Sequence, residues 1–529
     1  MSRTRRSSRL FSALAVVAAA SLTLSGCIFL PAVVSDQSAV DPDDNGFDST
    51  DGVDADLESF YAQEVDWQNC GDGQRCAVIT APMDWFNPDP DKTVEVHMVV
   101  NEAQNGNAIG DLLYNPGGPG ASGYDYVQQF AEYLVPPEIL EQYNLVGFDP
   151  RGVSRSSPIT CYDDPSTLYE RVFTVGDSED YEGLDWLSDE GLDESREASR
   201  EFAEACETYT GEAIGYYGTE QAASDMDLMR ALLGNDKLDY YGVSYGTLLG
   251  ATYAGLFPDN VGRFVLDAAT DPTAGGVEST LFQARGFELA LGNFLEVCMG
   301  ESDCPIDADD RQEALDEMTE LFDELDDDPI SGSNDRYLTS GSFFIAVAAN
   351  LYAEFQWPTL KTIIADVQDG EPESALSAVE GYYGVNPDGT FADNSYEALV
   401  GINCLDNVPE DDYDTVRADA ELVQDEAPTV GRFFVGLSSC VDWPNAGSRS
   451  LEPITAPGAD PIIVIGGLND PATHYDESVA LADMLESGIL ITVADEGHGQ
   501  YGNGNMCVDE PVNDYLLNGN APSGDIDNC

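Results

Sequence analysis

The sequence is poor in positive charge. Of 529 residues only 21 are Lys or Arg, against 99 Asp or Glu, giving a formal net charge of −78; the lysines are Lys92, Lys237 and Lys361. Such a surface repels phosphate backbones and anionic lipid, which excludes nucleic acid as a partner. What remains are a solvated, solubilising surface, suited to high salt, and attraction of cationic substrates. Histidine is scarcer still, at three residues (His97, His474, His498), and no Cys-x2-Cys spacing occurs, so a zinc site has almost nothing to draw on and no metal or cofactor is implied. Beyond the N-terminal region no stretch stays apolar for about 18 residues, which excludes a membrane-spanning helix there.

What is present begins with an export leader. Arg3, Arg5, Arg6 and Arg9 precede an apolar run from Leu10 to about Leu24, long enough for a secretion signal and too short to span a bilayer comfortably. The run closes on Leu24-Ser25-Gly26-Cys27, which resembles a bacterial lipobox, where a signal peptidase cuts before a Cys that carries lipid. Residues 1–27 are therefore expected to act as a lipoprotein signal, leaving the chain outside the cytoplasm and held to the membrane through Cys27 alone; plain secretion is the alternative. Residues 28–58, rich in Asp, Ser and Gly, have the composition of a disordered tether. Apart from Cys27 there are ten cysteines, an even number that reads as disulfides in an exported chain. Pairing neighbours in order (70 with 76, 161 with 206, 298 with 304, 404 with 440, 507 with 529) is the simplest scheme, although sequence leaves connectivity open.

Strand and helix patterns alternate through the next region. Cys76–Pro82, Val94–Val100, Asp111–Tyr114, Tyr143–Phe148, Leu238–Tyr241 and Val261–Leu266 read as strands, and Glu220–Leu233 and Leu248–Phe257 as helices. From about Thr273 to Thr455 the pattern turns to helices with acidic outer faces, such as Arg311–Leu325 and Phe343–Val367, and strand character returns at Pro461–Ile465 and Leu490–Val493. This order predicts a mostly parallel sheet flanked by helices, built from residues 59–272 and 456–529, with a helical cap inserted over 273–455.

Gly242-Val243-Ser244-Tyr245-Gly246 lies between a strand and a helix, where glycines let a strained turn hold a Ser hydroxyl above a sheet. A Ser hydroxyl needs a base, and His498, in Glu496-Gly-His-Gly499 after the last strand, follows the nucleophile in the order an α/β-hydrolase requires. His97 precedes the nucleophile, and His474 sits four residues past the acid candidate; they read as a structural and a loop histidine. Asp470, after the strand ending Ile465-Gly-Gly-Leu-Asn, is the acid that would orient the imidazole, with Asp267 the runner-up. The Tyr245 amide and one from Asn115-Pro-Gly-Gly-Pro-Gly120, Gly118 first and Gly117 next, would receive a tetrahedral oxyanion.

Taken as a set, these segments resemble the actinomycete tripeptidyl aminopeptidases, within the prolyl-iminopeptidase-like serine peptidases of α/β-hydrolase fold. Trp67–Pro82, Asn115–Gly123, Gly147-Phe-Asp-Pro-Arg-Gly-Val153, the Ser244 elbow, Leu266-Asp267, Cys440-Val-Asp-Trp-Pro444 and the stretch from Pro461 to Cys529 carry the likeness. The resemblance implies removal of short peptides from free N-termini by acyl transfer to Ser244. It also implies a carboxylate for the substrate ammonium, for which Asp406 in Gly401-Ile-Asn-Cys-Leu-Asp406 is the candidate beside the plain reading of a solvated acid. Thr473-His474-Tyr475 stands where the family commonly has a Thr-Pro-Tyr type of run. An esterase or amidase on the same machinery, and a lipoprotein that binds peptide without turnover, are the competing readings.

Overall fold

Two kinds of hydrophobic pattern build the sheet. Early strands alternate, with every second residue buried, as antiparallel strands with one wetter face do; later ones are buried along almost their whole length, as parallel strands covered on both faces must be. The computed structural model describes residues 49–50, 52–173, 186–333 and 336–529, so the leader, Cys27 and most of the tether lie outside the described residues. Nine strands form one sheet: β1 (Gln68–Gly71), β2 (Gln74–Pro82), β3 (Thr93–Asn101), β4 (Asp111–Asn115), β5 (Asn144–Phe148), β6 (Leu238–Val243), β7 (Val261–Asp267), β8 (Ile462–Asn469) and β9 (Gly488–Glu496). Their order is β1-β2-β3-β5-β4-β6-β7-β8-β9, antiparallel from β1 to β5 and parallel from β5 to β9. This is the α/β-hydrolase architecture.

The two-residue period of the strands divides the core. Leu113, Tyr240, Leu266 and Val464 pack into one apolar cluster, while their neighbours Leu112, Tyr241, Val265 and Ile463 pack into another on the opposite face. The helices that matter for the site are α1 (Gly123–Leu134), α2 (Thr219–Leu233), α3 (Tyr245–Leu256), α4 (Val277–Met299), α5 (Arg311–Asp327), α6 (Ser340–Leu351), α7 (Trp357–Gln368), α8 (Ser395–Asp406) and α9 (Tyr475–Met484). Between β7 and β8 the described chain is helical, apart from a small ribbon pairing Ile330–Ser331 with Tyr337–Leu338. Most of these helices share a third cluster, joined by Phe173 and Ala472, while α8 packs through Ala398, Ile402 and Leu405 into the first. In α5, for example, Leu315, Met318, Phe322 and Leu325 recur on one face and are buried, and Asp310 caps the first turn by accepting from the Glu313 amide. Among the described residues no helix is long and apolar enough to cross a membrane.

Two expectations change. The single helix expected over Phe343–Val367 is two, α6 and α7, separated by a short turn at Glu354–Gln356. Pro358 has no amide hydrogen and its ring excludes the preceding helical turn, so it stands at the start of α7 instead of inside a longer helix. Four disulfides join neighbouring cysteines as expected, 161 to 206, 298 to 304, 404 to 440 and 507 to 529, but Cys70 and Cys76 are unpaired thiols. Cys76 stands opposite Gln68 in the β1–β2 ladder, and the register slips between Asn69 and Gly71, which sets Cys70 off the direct cross-strand position.

The Gly147–Val153 motif explains itself here. Arg151 is fully buried, forms a two-bonded pair with Asp225 at 2.6 and 2.7 Å, and donates to the carbonyls of Pro82, Met83 and Tyr216. Removing either partner would strand a buried charge, a cost of about 3–5 kcal/mol. Asp149 accepts from Ser122 at 2.5 Å, and the same hydroxyl caps α1 by accepting from the Asp125 amide. The motif thus braces the Gly-rich loop from below.

Candidate active site

Residues just past the C-terminal ends of β6, β7 and β8 line one cavity of about 350 Å³, a size within the range of ligand pockets. Ser244 stands at its floor with φ 58° and ψ −129°, a backbone conformation that costs a non-glycine residue about 1–3 kcal/mol. Crowding forces the flanking glycines. A Cβ on Gly242 would meet the Gly246 carbonyl at 2.5 Å, and one on Gly246 would meet the Asn115 carbonyl at 2.7 Å. Gly117 comes as close from the other side, since a Cβ there would lie 2.8 Å from the Ser244 Cβ. The Gly-rich loop therefore lies against the elbow, and Gly118 and Tyr245 both line the cavity. Tyr245 is the first residue of α3, where an amide has no intrahelical acceptor, and the Gly118 amide has no acceptor among the described residues.

Asp470 and His498 meet by hydrogen bond. His498 Nδ1 lies 2.9 and 3.0 Å from the two Asp470 oxygens, and the acid is aimed by the amides of Ala472 and Thr473, both at 2.9 Å. Burial opposes charge on the imidazole, but the Asp470 charge and hydrogen bond, helped by Asp267, outweigh it and hold the His498 pKa above its ordinary value. A Cβ on Gly499 would touch Val243 at 3.4 Å, so the base loop packs beside the residue preceding Ser244. The other histidines are elsewhere employed: His97 lies in the antiparallel strand β3, and His474 caps α9 while stacking on Phe282, with its pKa lowered by burial.

Asp267 does not bond His498 and has a different task. Its carboxylate accepts from the backbone amides of Gln500 and Tyr501 at 2.8–3.0 Å, and its carbonyl accepts from the Ser244 amide at 3.0 Å. One residue at the end of β7 thus ties the nucleophile loop to the base loop. Burial raises its pKa to about 6. From the insertion, the Tyr352 carbonyl accepts from the His498 amide at 2.9 Å, and the two rings meet edge to face. Neither tie is visible in local sequence; the only signals were Asp267 at a strand end and Pro358 six residues after Tyr352.

Asp406 lines the cavity but is 3% exposed, and both of its oxygens are engaged by Thr219, one by the amide at 3.0 Å and one by the hydroxyl at 2.5 Å. That hydroxyl also pairs with the Tyr245 phenol. Burial raises the Asp406 pKa to about 6. A second carboxyl, Glu477 in the first turn of α9, lines the same cavity and was not singled out in the sequence, where acids are too many for one to stand out.

A family profile described as TAP-like protein matches residues 427–528. A protein named serine protease Hip1 from Mycobacterium tuberculosis is 31% identical to 99% of the chain, covering 98% of that protein. A tripeptidyl aminopeptidase from Streptomyces coelicolor is 28% identical over 87% of the chain and 85% of its own length, and a carboxylesterase B from Mycobacterium tuberculosis 31% identical over 85% of each.

Proposed function

The chain belongs to the tripeptidyl aminopeptidase family of α/β-hydrolase-fold serine peptidases, and from that premise we propose that it is an exported exopeptidase releasing tripeptides or smaller pieces from free N-termini. The observation that carries the reading is the Asp470–His498 hydrogen bond beside the strained Ser244 elbow in a closed-sized cavity. Ser244 Oγ attacks the scissile carbonyl as His498 takes its proton, and the Gly118 and Tyr245 amides hold the oxyanion. Collapse of the tetrahedral intermediate breaks the C–N bond; His498 passes the proton to the departing amine, and water then hydrolyses the acyl-enzyme by the same route. The helical segment, set at residues 273–455, serves as a cap that bounds the acyl portion and so limits its length. Lipid on Cys27 would hold the enzyme at the outer membrane surface, with residues 28–58 as tether. The substrate ammonium calls for a carboxylate on the cavity wall; Asp406, the candidate from the sequence, has both oxygens engaged by Thr219.

An esterase reading draws support from the relative named carboxylesterase B. One comparison separates the two: release of p-nitroaniline from a tripeptide p-nitroanilide with a free amine and from its N-acetylated counterpart, with Ser244→Ala as baseline and fluorophosphonate labelling as a check on the nucleophile. The free amine is expected to be favoured about 100-fold, and equal rates would overturn the aminopeptidase reading. Labelling unchanged in Ser244→Ala would overturn the nucleophile.

A further inference from the structure

Among the carboxyl groups on the cavity wall, Glu477 differs from the others in what it lacks. Its side chain is only 4% exposed, yet it faces the space that Ser244 faces. Its carboxylate accepts only from backbone amides, that of Asp271 at a long 3.4 Å and that of His474 at the helix start, and it has no side-chain donor and no ion pair among the described residues. Asp406 is the contrast, with both oxygens taken by Thr219. Asp271 is likewise occupied, accepting from the Thr273 amide and hydroxyl at 2.8 and 2.7 Å. A buried carboxyl with backbone donors alone and no positive charge beside it is an expensive arrangement unless a cation arrives to complete it. The position is also rigid: Glu477 follows Asp470 by seven residues, on the helix whose entry loop aims that acid at His498.

We propose that Glu477 is the specificity residue that receives the α-ammonium of the substrate peptide, with Asp271 adding negative charge beside it, while Asp406 is a structural tie between α8 and the Ser244 elbow through Thr219 and Tyr245. The proposal rests on the aminopeptidase reading above and names the group that enforces it. Burial holds the Glu477 pKa up at about 8, which measures how much a charge there lacks a cation beside it. A substrate amine titrates at about 7.7–8.0, so the two groups share one proton closely enough for an ion pair to form on binding. An acetylated amine, having no charge to offer, would leave the carboxyl buried without a partner, which is how a site of this kind rejects a blocked substrate.

The test compares wild type, Glu477→Gln, Glu477→Asp and Asp406→Asn on the free and N-acetylated tripeptide p-nitroanilides, with the rate of fluorophosphonate labelling of Ser244 as a measure of an intact site. Glu477→Gln is expected to lose on the order of 100-fold in kcat/KM on the free amine, chiefly through KM, while labelling and hydrolysis of the acetylated substrate stay near wild type. Glu477→Asp, which keeps the charge, should retain most of the preference and guards against an amide that disturbs packing. Asp406→Asn should slow labelling and both substrates alike. If wild type prefers the free amine and Glu477→Gln keeps that preference, the assignment of Glu477 is wrong and the aminopeptidase reading survives. If wild type shows no preference, the reading fails and the assignment with it.

Discussion

On the sheet side of the cavity stand Ser244, Tyr245, Asp271 and Glu477, fixed by strand ends and by backbone amides, whereas the helical side contributes an apolar and aromatic patch, Phe287, Phe344, Ile345, Ala348 and Phe434, with polar groups such as Tyr352, Asn403 and Asp406 around it. The first wall is held by short polar contacts whose geometry tolerates little change; the second is held by packing among aromatic rings, as in the parallel contact of Phe344 with Phe433 at 4.6 Å and of Phe287 with Phe434 at 5.8 Å. The difference teaches where each kind of change should register: in turnover on one side, in substrate binding and length on the other.

The harshest test of that division is Asp470→Asn. Loss of the acid leaves the imidazole without its orienting acceptor, and kcat should fall about 10⁴-fold with KM little altered. Steady-state kinetics on the free tripeptide anilide checks this. The pH profile sharpens it. Because the base works only when neutral, kcat/KM should rise with pH along a limb whose midpoint lies above the ordinary imidazole value of about 6.5, since the Asp470 charge favours the imidazolium; in Asp470→Asn burial acts with less opposition and the midpoint should move down. A wild-type midpoint below 6.5 would contradict the electrostatics described here.

Next in size is Asp267→Asn, which spoils acceptance from the Gln500 and Tyr501 amides and loosens the base loop without touching the Asp470–His498 bond. A loss of about 100-fold in kcat, with Ser244 labelling slowed in step, is expected from misplacement of a base by a fraction of its reach. The smallest effect belongs to the helical wall. Phe434→Ala should raise KM about tenfold, through lost apolar contact, while kcat on a small ester and the labelling rate hold. Should Phe434→Ala cost as much in kcat as Asp267→Asn, the separation of the walls is broken.

Much of the sheet wall is legible in the sequence because its signals are local. A strand, a Gly-x-Ser-x-Gly turn and a helix follow one another within about twenty residues, and the small number of histidines leaves little choice of base. The strands at Asp111–Asn115 and Val261–Asp267 announce themselves as apolar runs for the same reason. The helical wall is less legible. Its helices pack on one another in a cluster that joins residues as far apart in the chain as Phe287 and Val430, and periodicity says which face is buried but not against what. Glu477 escapes notice, and Asp267 is noticed only as a second choice of acid, for a related cause. Each is an ordinary acid in its own segment, and its meaning comes from amides and a cavity that other segments supply. Cys70 and Cys76 show the limit of counting, since the two thiols lie within side-chain hydrogen-bond reach across the β1–β2 hairpin and yet are not joined.

The break between α6 and α7 frees the Tyr352 carbonyl from helical duty and spends it on the amide of the base. The base loop is thereby anchored from two distant parts of the chain, by the Asp267 carboxylate at one end and by the Tyr352 carbonyl at the other, so a change that shifts the end of α6 reaches the histidine without any catalytic group in between.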